Sequence, residues 1–123
     1  MDQYQRNHHR CNCSGEARMQ ITPDKPAIHG KILDLSIGGC MIEFLETQPL
    51  VFDQKIDLIF CVNNLPFHVL AVVRGERGKA RYGFAFPQLR ERIQNQLEDL
   101  IDELKYGLYK PQKVPFGVAR TAK

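Results

Sequence analysis

The feature that most constrains this chain is a succession of short alternating runs, each closed by a turn signal, between residues 18 and 86. Lys55 to Val62 sets Ile56, Leu58, Phe60 and Val62 at period two, the signature of a half-buried strand. Asn63-Asn64 follows, and Asn tolerates positive φ, so Leu65 to Arg74 reads as the returning strand of a hairpin. Cys40 to Leu45 puts Cys40, Ile42 and Phe44 on one face, and Ala80 to Phe86 does the same with Tyr82, Phe84 and Phe86. Two shorter runs come first. Arg18 to Thr22 stops at Pro23-Asp24-Lys25-Pro26, and Ala27 to Leu35, with Ile28, Ile32 and Leu33 as inward candidates, stops at Gly38-Gly39. Gly75-Glu76-Arg77-Gly78 is read as the turn before the last run. Short strands at this spacing predict an antiparallel barrel or sandwich, and closure suits strands of this length better than stacking. Pro87 ends the sheet.

After Pro87 the period changes. Leu89, Ile93, Leu97, Leu100, Ile101 and Leu104 mark one face of an amphipathic helix, while Arg90, Glu98, Asp99, Asp102 and Glu103 mark the other. Such a helix in a small domain most often covers its own core, so a lid on the barrel is expected. The fold class is therefore all-β with one C-terminal α-helix, a six-stranded antiparallel β-barrel. Residues 1–16 read as a flexible N-terminal arm, 17–104 as the barrel plus helix, and 105–123 as a basic, disordered tail carrying Lys105, Lys110, Lys113, Arg120 and Lys123.

Bulk properties narrow the function classes. The length of 123 residues fits one domain. No run approaches ~20 apolar residues, so no membrane span is expected. The N-terminus lacks an apolar signal region, which favours the cytoplasm and reduced thiols for the four cysteines. Cys11-x-Cys13 beside His8 and His9 lacks the spacing and the second ligand pair of a structural metal site, so no metal is expected. A net charge of +3 does not demand a polyanion, and the aromatics fall on a core face rather than a stacking face, which disfavours nucleic acid. An oligonucleotide-binding barrel remains an alternative on the basic tail alone. No Ser-His-Asp order, carboxylate pair or phosphate loop stands out, so no catalytic residue is expected.

Two polar motifs carry what chemistry there is. Arg6-Asn7-His8-His9-Arg10 supplies two guanidinium forks, each able to grip a phosphate or the O6 and N7 edge of guanine. Arg-x-x-x-Arg is common, and recurs at Arg77 and Arg81. Asp34-Leu35-Ser36-Ile37-Gly38-Gly39 is more specific. The Asp34 carboxylate can accept from guanine N1–H and N2–H₂, which adenine cannot copy. Ser36 can meet a phosphate or an exocyclic amine, and Gly39 lets a ligand approach the backbone. A purely structural turn, with Asp34 and Ser36 capping nearby backbone groups, uses the same residues.

Taken in order, Arg6-x-x-x-Arg10, Asp34-x-Ser36-x-x-Gly39 and Tyr82-Gly83-Phe84-Ala85-Phe86 resemble the PilZ domain, over about residues 5 to 104. The resemblance implies a six-stranded barrel with a C-terminal helix and a non-enzymatic receptor for cyclic di-GMP. It implies that Arg6 and Arg10 hold phosphates and guanine faces, and that Asp34, Ser36 and Gly39 read a guanine edge and its phosphate. It also implies a protein partner in motility, pilus or exopolysaccharide machinery, with the ligand ordering the arm and altering the surface that partner meets. Some members of the family are protein adaptors that bind no nucleotide. Gln5 stands where many members carry a further arginine, a departure that bears on whether one ligand or two stacked ligands bind. His8 and His9 leave the motif intact; two exposed histidines are the expected reading, and a pair whose titration makes binding pH-sensitive is the alternative.

Overall fold

The computed structural model describes residues 10–106. Its strands are β1 (Cys11–Gln20), β2 (Ile28–Ser36), β3 (Gly39–Phe44), β4 (Lys55–Val62), β5 (Leu65–Gly78) and β6 (Arg81–Ala85), followed by the helix α1 (Glu91–Tyr106). The sheet closes in the order β1-β2-β3-β6-β5-β4, with every neighbouring pair antiparallel. Closure removes the sheet edges and turns every second residue inward. Ile56, Leu58, Phe60 and Val62 of β4 are accordingly buried, as are Cys40, Ile42 and Phe44 of β3. Phe60 stacks on both Phe67 and Phe86, with ring centroids 5.2 Å and 6.0 Å apart.

The helix covers one end of this barrel. Leu97, Leu100 and Ile101 are buried, with Ile93 and Leu104 packed beside them. Glu91 in the first turn and Lys105 in the last oppose the helix dipole favourably. The Cys11 thiol donates to the Ile101 carbonyl at 3.8 Å, so the start of β1 touches the helix directly. At the other end of the barrel the Tyr82 hydroxyl clamps the β3–β4 connection. It accepts from the Gln48 N–H at 2.9 Å and donates to the Gln48 carbonyl at 3.2 Å.

The positions of four elements differ from the sequence reading. The barrel begins at Cys11, not near residue 17, because Asn12, Ser14 and Glu16 form the solvent face of a strand whose Cys11, Ala17 and Met19 are buried. In β2 the register shifts between Ile32 and Asp34, so Leu33 becomes an extra residue and Leu35, not Leu33, joins Ile32 in the core. Gly75 to Gly78 is not a turn. Both glycines take positive φ (131° and 149°) at register shifts that bend β5 without ending it, and the reversal falls at Lys79-Ala80, with Ala80 at φ 57°. The helix runs through Lys105 and Tyr106, two residues beyond the end expected from the pattern; residues 107–123 lie outside the described residues. The Asn63-Asn64 turn matches its reading, with φ of 53° and 66°.

Candidate functional site

The site is built where β1, β2 and β3 lie side by side at the helix-covered end. In the register, Asp34 of β2 sits between Asn12 of β1 and Met41 of β3. Its flanking residues Ile32 and Leu35 are fully buried, so the bulge at Leu33 is what turns the carboxylate outward. Arg10 reaches it from the position just before β1. Its Nη1 donates to Asp34 Oδ1 at 2.6 Å, across 24 residues of sequence. The guanidinium is 48% exposed and the carboxylate 14%, so the pair stands on the barrel wall with one solvent-facing side. The two motifs read from the sequence are therefore joined at one of their members each. Arg6, with Gln5, His8 and His9, lies outside the described residues.

Ser36 and Gly39 serve the β2–β3 turn. The Ser36 oxygen accepts from the Gly38 and Gly39 N–H groups at 3.1 Å and 3.2 Å, and its hydroxyl donates to the Gly39 carbonyl at 3.3 Å. The residue is only 3% exposed. The Gly38 carbonyl accepts from the Phe86 N–H at 2.9 Å, tying the turn to the end of β6. A Cβ on Gly39 would lie 2.0 Å from the Phe84 carbonyl oxygen. The space beside Gly39 is thus filled by β6, and left-handed φ falls at Gly75 and Gly78 rather than at Gly38 or Gly39.

Burial and the neighbouring negative charge disfavour the thiolate form of the thiols around the carboxylate. Burial, then the negative charge of Asp34, then Cys11 push Cys13 up to about 12 from an ordinary 9.0. Burial and the charge of Asp34 also push Cys40 well up, against a smaller opposing pull from Arg10. A thiol held protonated is a poor nucleophile. Among the described residues no group of three or more His, Cys, Asp or Glu is arranged to hold a metal. Iodoacetamide is expected to modify Cys13 far more slowly than a free thiol at neutral pH, a difference that mass spectrometry of the labelled peptide measures. The folded value lies above the unfolded one. Its contribution to stability is therefore complete below about pH 9 and lost as pH rises toward about 12, so Cys13→Ala flattens part of the alkaline fall in the urea midpoint.

A groove of about 740 Å³ lies between α1 and the β4–β5 hairpin, floored by Ile59, Leu65 and Phe67. No helix among the described residues is long and apolar enough to cross a membrane.

The family model for the PilZ domain matches residues 4–103, which take in the arm motif, the barrel and nearly all of the helix. This chain belongs to the PilZ domain family. Solved structures agree on the PilZ fold. The PilZ domain of YcgR from Escherichia coli, solved with c-di-GMP, superposes with a TM-score of 0.65 at 20% identity, covering 82% of this chain and 92% of that one. The inhibitor of motility MotI/DgrA of Bacillus subtilis gives 0.70 at 15% identity, covering 85% of this chain but 52% of that one. The PilZ domain of CeSA from a cellulose-synthesizing bacterium gives 0.63 at 16% identity, covering 79% of this chain and 98% of that one. A search of curated proteins finds no match.

Sequence reading missed the surroundings of Asp34. Asn12 and Met41 flank it only through strand register, which no local pattern reports. It also missed the two irregularities in β5. A signal for those was present: Arg74-Gly75 and Arg77-Gly78 each set glycine inside a strand-like stretch, the usual mark of a bulge.

Proposed function

We propose that this PilZ-domain protein is a non-enzymatic receptor for cyclic di-GMP. The observation that carries the reading is the 2.6 Å contact between Arg10 and Asp34, which joins the two ligand motifs on one exposed face. Both groups are complementary to parts of the nucleotide. The carboxylate matches guanine N1–H and N2–H₂, and the guanidinium matches a phosphate or a guanine acceptor edge. Arg6 supplies the second fork from the same arm. Ser36 and Gly39 act by holding the turn, so that Asp34 is presented outward and the backbone of the bend lies close to the ligand.

Binding exchanges one ion pair for several. Ligand parts Arg10 from Asp34 and takes each as its own partner. The helix transmits the event, because the residue after Arg10 touches Ile101. A partner protein then reads the altered arm and helix surface. The similar structures include an inhibitor of motility and a domain from a cellulose-synthesizing bacterium, which supports a partner in motility or exopolysaccharide machinery.

Calorimetric titration with cyclic di-GMP tests the reading. Saturable heat with one or two ligands per chain supports it, and the ratio answers the question raised by Gln5. No heat, together with unshifted amides at Arg10 and Asp34, would favour a nucleotide-independent adaptor, for which the turn residues serve only the fold.

A further inference from the structure

Beside Asp34 the outward positions of the next two strands are Met41 and Gly83, in one row of the register, and Gly75 of β5 pairs with Gly83. Beyond the Met41 side chain, two successive strands thus contribute no side chain to this row, leaving a low floor in which Gly83 is buried beneath Arg77. At an interstrand spacing of ~4.8 Å, Gly83 stands ~10 Å from Asp34.

The far end of that floor carries a cation. Register shifts between Val73 and Gly75 and between Glu76 and Gly78 leave Arg74 and Arg77 as the extra residues of two bulges. Bulges re-aim side chains, and these two arginines go different ways. Arg74 donates to Asp53 at 3.3 Å and covers the Phe52 ring at 4.9 Å. Arg77 instead crosses β6. Its Nε and Nη2 lie 3.0 Å and 3.4 Å from the point where a Cβ on Gly83 would sit. Arg10, Arg74 and Arg81 each pair with a carboxylate, whereas Arg77 has no such partner among the described residues.

We infer that Arg77 is a base-selective contact for the second guanine of the bound cyclic dinucleotide. The inference rests on the receptor reading above and adds a residue to its site. Asp34 accepts from the donor edge of one guanine. The other base, at the opposite end of a two-base ligand, reaches the floor over Gly83. There the guanidinium fork donates to O6 and N7 together. Adenine sets an N6–H₂ donor in place of O6, so it loses this contact and faces a like donor.

The test uses cyclic di-GMP and the mixed cyclic GMP–AMP dinucleotide, titrated into the full chain. With Asp34 selecting guanine, adenine of the mixed ligand falls to Arg77, and the wild type should bind it about tenfold or more weakly than cyclic di-GMP. Arg77→Ala should reduce cyclic di-GMP affinity to the level of the mixed ligand while leaving the mixed ligand unchanged. Gly83→Ala, whose Cβ displaces the guanidinium, should move cyclic di-GMP affinity the same way. Arg81→Ala removes the same charge from a residue paired with Glu43 and should alter neither affinity. An Arg77→Ala protein that keeps both wild-type affinities, or loses both equally, overturns the inference and leaves the receptor reading standing. A wild type that binds neither dinucleotide overturns both.

Discussion

Arg10→Ala is expected to weaken cyclic di-GMP binding by at least about tenfold, with little change in thermal stability. A hydrogen bond to a charged group contributes about 1.5–3 kcal/mol, and tenfold corresponds to about 1.4 kcal/mol. Part of that is offset in the free protein, where Arg10 already has a partner in Asp34. The offset is small: an exposed ion pair is worth about 0–1 kcal/mol, and this guanidinium is 48% exposed. For the same reason the melting temperature should barely move. Asp34→Ala should lose affinity as well, and should also lose preference for guanine over adenine at the base that Asp34 holds, because only the carboxylate matches the donor edge. Because each ligand carries only two phosphates, the affinity should fall only gently with salt compared with a DNA-binding protein. Isothermal titration of the variants with cyclic di-GMP and an adenine-containing analogue, at two ionic strengths, measures the affinities, and thermal unfolding gives the melting temperature. An Arg10→Ala protein with wild-type affinity would remove the arm from the site.

Gly39→Ala is expected to damage the fold itself. The added Cβ would meet the Phe84 carbonyl oxygen at 2.0 Å, and that oxygen belongs to the backbone of β6. Neither strand can yield without parting, since Gly39 pairs with Ala85 and Cys40 with Phe84 across the same ladder. Overpacking of this kind costs about 3 kcal/mol or more when backbone must move. For a domain of this size that lowers the melting temperature by more than about 10 °C. Calorimetry or circular dichroism on heating gives the value. The contrast with Gly83 is instructive. There a Cβ meets only the end of the Arg77 side chain, which can swing away, so Gly83→Ala should melt near the wild type. Equal melting of Gly39→Ala and wild type would contradict the packing described here. Loss of ligand binding in a Gly39 variant is consequently no measure of contact between Gly39 and nucleotide; the Arg10 and Asp34 variants carry that information.

Much of the barrel could be read from local pattern. The β4–β5 hairpin shows why: strict alternation from Ile56 to Val62 and a turn of two asparagines leave a single register in which the apolar face is buried. The helix was equally plain from Ile93, Leu97, Leu100, Ile101 and Leu104. Where alternation broke, reading failed. Polar Asn12, Ser14 and Glu16 resembled an arm because their strand has one wet face, and glycines at 75 and 78 resembled a turn because a bulge uses the same φ.

For the site, the residue types alone named a guanidinium pair and a carboxylate–hydroxyl bend as complementary to a guanine dinucleotide, since that follows from donors and acceptors. Their order along the chain also pointed to the PilZ family. Tertiary structure was needed for the rest. That Arg10 and Asp34 meet, that Ser36 and Gly39 face the turn and β6, and that Arg77 is thrown across Gly83 all depend on the register between strands distant in sequence. One extra residue in a bulge redirects a side chain, and its position is set by how the whole barrel closes rather than by its neighbours in the chain.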